Sequence, residues 1–297
     1  MNFFQAIFLG LVQALTEYLP VSSSAHVRIV GDLMLGGDPG AAFTAIIQIG
    51  TELAVLLYFR RDIWNILKSW CLCLAGKEGK DRASRFGAHN KDARLGWYII
   101  IATIPILIAG VLFQHAIETT LRNLWITVAM LFIFGVILWI VDDRARQVKT
   151  LDDMNTKDAI WFGIGQMLAL IPGVSRSGGT ITFGRAMGYK REAAVRAAFL
   201  MAIPAVFGAG ILEAVSAVKD VAAGDAGMFP GWGPTIAAAI VAFVVGYVVI
   251  IGFLKFVSTY SYKAFAIYRI ALAIIVAILL LCGVLSPLEG IPVSGNA

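Results

Sequence analysis

Runs of about twenty apolar residues recur along the chain, and they limit its possible folds more than any other feature. A helix rises about 1.5 Å per residue, so roughly 20 such residues cross a hydrocarbon layer about 30 Å thick. Mean hydropathy is +0.81, and only 14% of the residues are charged. The sequence therefore predicts an all-α polytopic membrane protein. Six stretches are long enough for full crossings: 41–59, 95–114, 124–141, 195–217, 234–255 and 265–285.

Lysine and arginine residues are distributed unevenly between the connections that join these stretches. Nineteen of the 24 lie in alternate connections, namely 60–94, 142–157, 185–196 and 255–264, whereas the other connections hold three. Because basic loops stay in the cytoplasm, both termini are predicted to lie outside. The same topology explains the pI near 9.2, so no nucleic-acid partner is expected.

Two further apolar segments, 3–21 and 158–187, are each interrupted by proline and polar residues. A full crossing by either segment would break the charge distribution. We therefore interpret each as a re-entrant helical hairpin, the first entering from outside and the second from the cytoplasm. Irregular backbone at that depth requires protein or a wet cavity around it.

A short internal repeat relates the two interrupted segments. When they are aligned, the following positions match: Gly10 and Gly163, Gln13 and Gln166, and the serine clusters at 21–24 and 174–177. Each half is then one hairpin followed by three crossings, and because three is odd, the halves have opposite orientations. This inverted-topology repeat is the plan of secondary transporters. The prediction is one membrane domain, 1–297, with a first repeat in 1–141 (including the basic cytoplasmic segment 60–94) and a second in 158–285.

The second hairpin contains IPGVSRSGGT, in which hydroxyls, glycines and Arg176 follow a helix-breaking proline. A helix that starts after such a turn directs free N–H groups and the positive end of its dipole at whatever fills the gap. Hydroxyl groups and a guanidinium complete an oxyanion site that suits phosphate. The candidate phosphate ligands from both hairpins are Ser22, Ser24, Gly173, Ser175, Ser177 and Thr180.

Polar residues of the first hairpin indicate a metal ion and proton transfer. Gln13 and Glu17 are four residues apart, so they share a helical face. Each presents oxygen to the same place, as a divalent cation that bridges phosphate oxygens requires. His26 follows close to the hydroxyls of Ser22, Ser23 and Ser24, where it would shuttle a proton or stabilise charge.

Structural interpretations compete with each assignment. Serines in apolar helices usually bond back to their own backbone, and His26 at a segment end is as compatible with an interfacial position. Charges inside a membrane cost roughly 2.5–3.5 kcal/mol each, which favours function for Glu17 and Arg176 over a structural ion pair. Glu52, with Gln48 one turn before it, is left open between lining the same cavity and packing helices.

The two polar stretches together resemble a known family. QALTEYLPVSSSAH (13–26) is similar to the (E/Q)xxxE region, and PGVSRSGGT (172–180) to the PGxSRSxxT signature, of undecaprenyl-diphosphatases of the BacA/UppP type. The flanking LDDM, FTAIIQIG and FAIYR are similar too. The resemblance implies a membrane hydrolase that converts undecaprenyl diphosphate to undecaprenyl phosphate and inorganic phosphate, which recycles the lipid carrier of peptidoglycan synthesis. It also implies bacitracin resistance, because that antibiotic competes for the substrate.

The family motifs fall on these polar residues, and we hypothesise a role for each of them. Glu17 and Gln13 would hold Mg²⁺ or Ca²⁺, and because Gln13 is an amide, Glu17 carries the charge. Arg176 and the loop hydroxyls would hold the terminal phosphoryl group. Ser23 or a water would attack, and Glu17 or His26 would accept the proton.

The location of the site follows from the topology. Since the first hairpin opens outward, we expect the site on the external face of the bacterial cytoplasmic membrane. The competing function is an inverted-repeat transporter or lipid-carrier flippase for a phosphorylated substrate, because a fold does not dictate function. A carboxylate, a histidine and an arginine fork exceed what the passage of an anion needs, which favours the enzyme. Prenyl chain length and oligomeric state, a homodimer included, are left open.

Overall fold

The computed structural model describes residues 1–37, 39–224 and 229–288, and helices account for nearly all of their regular structure. Within these residues, thirteen α-helices follow one another and are numbered in chain order. Their bounds are α1 Phe3–Glu17, α2 Ser23–Leu35, α3 Ala41–Tyr58, α4 Arg60–Leu74, α5 Arg82–Arg85, α6 Lys91–Leu112, α7 Gln114–Glu118, α8 Leu124–Arg144, α9 Thr156–Met167, α10 Arg176–Ala186, α11 Arg191–Ala223, α12 Trp232–Thr259 and α13 Lys263–Leu281.

Five helices in the described ranges are long and apolar enough to cross a membrane: α6, α8, α11, α12 and α13. Helices α3 and α4 meet at a bend of 72°, and the number rises to six when this pair counts as one span. The prediction of an all-α polytopic membrane protein is therefore confirmed. The six predicted crossings correspond to these five helices and to α3.

Each interrupted segment forms two short helices that pack against each other, α1 with α2 and α9 with α10. At 1.5 Å per residue, helices of 11 to 15 residues are too short to cross the hydrocarbon layer alone. The first hairpin is longer than the predicted 3–21, because α2 continues to Leu35. Arg28 and Asp32, which look like loop residues in the sequence, lie 3.6 Å apart across one turn of this helix.

Glycines mark the places where the hairpins approach the long helices most closely. A Cβ atom on Gly10 of α1 would lie 2.5 Å from the carbonyl oxygen of Ala238 in α12. A Cβ atom on Gly163 of α9 would lie 2.6 Å from the carbonyl oxygen of Ala102 in α6. Only glycine permits backbones to approach this closely, which is a common basis of helix association in membranes.

We expect Gly163→Ala to lower the melting temperature, because the added methyl group overpacks the contact between α9 and α6 at a cost of about 1–3 kcal/mol. The measurement is thermal unfolding of the purified protein in detergent. Gly252→Ala is the matched control, since no atom of the described residues lies within 4 Å of the Cβ atom it would add. Equal melting temperatures for the two variants would contradict this account of the contact.

The largest buried apolar cluster lies directly beside the first hairpin and fixes the loop that follows α1. Tyr18, the residue after α1, is buried in this cluster, and its ring meets that of Phe199 edge-on with centroids 5.7 Å apart. Its hydroxyl donates to the carbonyl oxygen of Thr51 at 2.6 Å. The loop therefore starts from a rigid anchor in the core.

Candidate active site

The loops of both hairpins end in a serine with a strained backbone. Ser22 (φ 74°) and Ser175 (φ 71°) directly precede α2 and α10, and no other non-glycine residue in the described part of the chain has a positive φ. Such a conformation costs of order 1–3 kcal/mol and persists where the surroundings impose it, often at functional sites. The hydroxyl of Ser175 accepts from the N–H of Gly178 at 3.1 Å. Ser22 provides no such cap, which leaves first-turn N–H groups of α2 open to a ligand.

Three charged side chains meet between the hairpins. Nη2 of Arg176, the first residue of α10, donates to Oε1 of Glu17 at 2.5 Å and to Oε1 of Glu52 at 2.8 Å. Both glutamates are buried, with exposures of 8% and 3%. The predicted approach of Glu17 to Arg176 is confirmed. Glu52 belongs to the same cluster, which resolves the alternative that the sequence left open.

The second carboxylate oxygen of Glu17 receives two more hydrogen bonds. Ser23 donates its hydroxyl to Oε2 at 2.6 Å, and Gln13 donates its amide Nε2 at 2.8 Å. Gln13 and Glu17 share a helical face as predicted, but the amide turns its N–H group and not its oxygen to the carboxylate. A hydroxyl bonded to a buried carboxylate is the arrangement of a nucleophile with its base.

Arg176 also has an unused donor, because its Nη1 is buried and has no hydrogen-bond partner among the described residues. Leaving a buried donor unpaired costs about 1–3 kcal/mol, and more for a charged group. The cavity that Arg176 lines with Glu17, Tyr18, Glu52 and Ser177 has a volume of about 10 Å³. This is the space of one water. A diphosphate can therefore enter only if the cluster opens.

Hydroxyls of the second loop join the two hairpins. Ser177 donates to the carbonyl oxygen of Leu19 in the first loop at 2.9 Å, and its Oγ lies 3.1 Å from that of Ser175. Both serines are buried. The two loops are thus in direct contact, and their hydroxyls lie next to Arg176 in the chain.

Other predicted site residues have local partners. The hydroxyls of Ser22 and Ser24 lie 3.2 Å apart. Thr180 is fully buried and donates to the carbonyl oxygen of Arg176 at 2.8 Å, the backbone bond usual in apolar helices. Gln48 is half-buried one turn before Glu52.

His26, predicted to lie close to the serine hydroxyls, bonds to the loop backbone and to α13. Its Nδ1 lies 2.7 Å from the carbonyl oxygen of Ser22, and its Nε2 lies 2.6 Å from the hydroxyl of Tyr268. A carbonyl oxygen only accepts, so Nδ1 carries a proton, and in the neutral ring Nε2 accepts from Tyr268. The two rings are stacked, with centroids 5.6 Å apart.

Two neighbouring residues of α13 were missed by the sequence analysis. Tyr268 holds His26, while Arg269 donates to the carbonyl oxygens of Pro20 and Gly173 at 3.0 and 2.7 Å. The signal was present, because Arg269 is a basic residue inside an apolar stretch, as Arg176 is. Unlike Arg176, it follows no polar loop that suggests a ligand.

The donors that could hold a divalent cation are two carboxylates and an amide. No group of three or more His, Cys, Asp or Glu side chains suited to a metal occurs in the residues that the structure describes. Mg²⁺ in phosphate-processing sites is usually bound by one or two carboxylates together with phosphate oxygens and waters. Glu17 and Glu52 could supply such carboxylates, whereas the oxygen of Gln13 would have to turn toward them, since its N–H group faces Glu17.

A larger cavity of about 630 Å³ lies elsewhere, lined by residues that include Thr150, Lys190, Arg191, Arg196 and Ser258. None of the predicted site residues lines it. Glu17, Glu52 and Arg176 come together at the small cavity.

Comparisons with known proteins agree with the resemblance seen in the sequence. A family model described as bacitracin resistance protein BacA matches residues 6–275. A curated protein of Bifidobacterium animalis subsp. lactis, named undecaprenyl-diphosphatase, is 97% identical over 297 residues, which is 100% of both chains. Proteins of the same name from Bifidobacterium adolescentis and Thermobifida fusca are 81% and 49% identical, over 97% and 100% of this chain and 98% and 97% of their own.

Proposed function

The chain belongs to the family of the bacitracin resistance protein BacA, and we propose that its cluster of Glu17, Glu52 and Arg176 is the site at which the substrate reacts. Like its relatives, the protein is an undecaprenyl-diphosphatase. It hydrolyses undecaprenyl diphosphate to undecaprenyl phosphate and inorganic phosphate, which renews the lipid carrier for wall synthesis. The function predicted from the sequence is confirmed, and the transporter alternative is not favoured.

The single observation that carries this site is the unpartnered Nη1 of Arg176. A guanidinium can offer parallel N–H groups to two phosphate oxygens. Because Nη2 is taken by the two glutamates, Nη1 is the donor available to the terminal phosphoryl group. A phosphate there would satisfy the donor and would have the guanidinium beside it as negative charge develops on the transferred group.

The open end of α2 and the loop hydroxyls are proposed to hold the remaining phosphate oxygens. The first-turn N–H groups of α2 lack a side-chain cap, so they are available to an anion. Ser22, Ser24, Ser175 and Ser177 supply hydroxyls around them. The bond from Ser177 to Leu19 would open as the diphosphate enters, since the closed cavity has no room for it.

The attacking group in this proposal is Ser23 or a water, with Glu17 as the base. If Ser23 attacks, its Oγ bonds to the terminal phosphorus as the bridging oxygen leaves with undecaprenyl phosphate, and water then hydrolyses the phosphoserine. If a water attacks, inorganic phosphate forms in one step. In both cases Oε2 of Glu17, which already accepts from Ser23, takes the proton. His26 is the alternative acceptor, and its bonds to Ser22 and Tyr268 would first have to change.

Glu17 and Glu52 are proposed to hold Mg²⁺ or Ca²⁺ together with the diphosphate, and Gln13 would join them once its amide turned its oxygen inward. Such a cation supplies positive charge that offsets the negative charge of the phosphate oxygens. The support for this proposal is the pair of buried carboxylates, which both bond to the Arg176 guanidinium. A divalent cation at the same place would also balance their negative charges.

We propose that residues 1–141 and 158–285 are inverted repeats within a single domain. Several correspondences support this arrangement. The strained Ser22 and Ser175 occupy aligned positions, as do the close-packed Gly10 and Gly163. Helix α1 packs on α12 where α9 packs on α6, and α3 packs on α11.

The protein is a multi-pass membrane protein, and we propose the bacterial cytoplasmic membrane as its location. The uneven distribution of lysine and arginine supports cytoplasmic basic connections, outside termini and a site that faces the external side.

Protein purified in detergent, with no gradient present, is expected to release inorganic phosphate from a polyprenyl diphosphate. EDTA is expected to stop the release, and added Mg²⁺ or Ca²⁺ to restore it. A protein that only carried the lipid across a membrane would release no phosphate. Full activity in EDTA would overturn the metal proposal while leaving the phosphatase assignment intact.

A further inference from the structure

Arg269, in the middle of α13, is fully buried and carries a charge that no carboxylate balances. Its exposure is 0%, and no Asp or Glu side chain in the described ranges lies within ion-pair distance of it. Buried cations in proteins are normally paired with an anion, since an isolated charge is costly in a medium of low dielectric. The absence of such a partner calls for an explanation from the groups that Arg269 does contact.

All hydrogen bonds that the Arg269 guanidinium makes to described residues go to backbone carbonyl oxygens. Nη1 donates to Pro20 at 3.0 Å, and Nη2 donates to Gly173 at 2.7 Å. Nε and Nη2 also reach the carbonyls of Leu131 and Met130 in α8, at 3.4 Å each. One planar group therefore joins the loop of the first hairpin, the loop of the second hairpin and the pair of helices α8 and α13.

The two loop carbonyls occupy equivalent places in their loops. Pro20 lies two residues before the strained Ser22, and Gly173 lies two residues before the strained Ser175. The guanidinium also lies against the first turn of α10, since a Cβ atom on Gly178 would come within 2.6 Å of its Nη1. Arg269 thus contacts the backbone just before the strained turns that start α2 and α10.

We propose that Arg269 is a positioning residue for the phosphatase reaction. It fixes the separation between the N-termini of α2 and α10, so that Ser23 on one and Arg176 on the other act on the same phosphoryl group. This inference rests on the proposed function, which places the diphosphate between these termini. Because its nitrogens are occupied by carbonyl oxygens, Arg269 acts through the loops and not by touching the substrate.

The charge of Arg269 has a further role in this arrangement. Carbonyl oxygens that point toward a diphosphate would repel it, because both carry negative charge. The guanidinium draws the carbonyls of Pro20 and Gly173 to itself, which leaves N–H groups and hydroxyls facing the anion.

Arg269→Lys tests the proposal, because lysine keeps the charge but lacks the planar fork that reaches both loops. We expect kcat for phosphate release from a polyprenyl diphosphate to fall about 10- to 100-fold, because small misplacements of reacting groups cause losses of this size. We expect KM to change by less than about threefold, since the groups that bind the substrate remain. Arg185→Lys is the matched control: Arg185 is also fully buried, but it pairs with Asp142 at 2.8 Å. It is expected to lower the melting temperature with kcat unchanged.

Gly178→Ala perturbs the same guanidinium from the α10 side, and it is the test to use if Arg269→Lys does not fold. Its methyl group would lie 2.6 Å from Nη1 of Arg269 and 3.0 Å from Cβ of Ser175. It would therefore displace the guanidinium most, and kcat is expected to fall again while Gly252→Ala has no effect. A wild-type kcat in Arg269→Lys would overturn the proposal that Arg269 positions the two loops. The same result in Gly178→Ala would overturn it if only that variant folds. So would a kcat loss no larger than that of Arg185→Lys. Glu17→Gln and Arg176→Ala report on the proposed function itself. If both are inactive while Arg269→Lys and Gly178→Ala have wild-type kcat, only this inference fails.

Discussion

Arg176→Ala is expected to lower kcat for phosphate release at least about a thousandfold, which is the lower end of what an arginine contributes when it stabilises a transferring phosphoryl group. Two effects combine in this variant. The free Nη1 that would hold the phosphate is lost, and so is the only cation that Glu17 and Glu52 share in the described structure. The measurement is release of inorganic phosphate from a polyprenyl diphosphate by protein purified in detergent.

Two further variants make the Arg176 result interpretable. Removing one partner of a buried ion pair destabilises a protein by about 3–5 kcal/mol, so Arg176→Ala could lose activity by unfolding. Arg176→Lys keeps the charge and is expected to fold, while losing kcat because an ammonium group lacks the planar fork that bonds the glutamates on one nitrogen and the phosphate on the other. Arg196→Ala is the control, since Arg196 pairs with Asp62 away from the site and is partly exposed. Folded Arg176→Ala with a tenth or more of wild-type activity would show that the cluster is not the reaction site.

Glu17→Gln is expected to lower kcat about 10²- to 10⁴-fold, the usual contribution of a general base. The amide keeps the shape of the side chain but cannot accept a proton from Ser23, and it no longer offsets the charge of Arg176. Steady-state kinetics of folded protein would measure the loss. Glu192→Gln, at an exposed position, is expected to retain full activity. Near-normal kcat in Glu17→Gln would transfer the role of base to His26 or to Glu52.

Ser23→Ala separates the two attacking groups that the proposal leaves open. If Ser23 is the nucleophile, its loss is as deep as that of Glu17→Gln, and the double variant is no worse than either single one. If a water attacks, Ser23→Ala costs less than about tenfold, since only one hydrogen bond to the base is removed. Radiolabel from the terminal phosphate that stays with acid-quenched protein, and is absent in Ser23→Ala, would identify the serine directly.

The fold was predictable because a membrane leaves few alternatives. Apolar runs must become helices when no water is present to bond the backbone, so the crossings could be identified from hydropathy. The two hairpins could be identified because 3–21 and 158–187 were incompatible with the distribution of basic residues. The predicted end of the first hairpin, at residue 21, was wrong. The helix that follows contains His26, Arg28 and Asp32 and does not look apolar in the sequence, although Arg28 and Asp32 pair within it.

Half of the candidate site could be predicted, because those residues lie in recognisable polar motifs. Glu17, Ser23 and Arg176 lie at the ends of interrupted helices, where polar groups inside an apolar chain are costly and therefore indicate a function. Glu52 and Arg269 lie within continuous helices, and their partners are 124 and 249 residues away in sequence, so spacing gave no indication of the contact. The direction of the Gln13 amide was also beyond reach, because a shared helical face does not fix which atom points inward.

The balance of charge in the closed cluster bears on how the enzyme treats its own product. A free inorganic phosphate that enters from water must separate the guanidinium from two acceptors, lose its hydration and leave at least one carboxylate buried without a counter-charge. The lipid headgroup meets the same barrier but is held at the membrane surface by its prenyl chain, so its local concentration is far higher. If the cluster is the reaction site, we expect free phosphate to inhibit the enzyme weakly, so that turnover continues as this product accumulates.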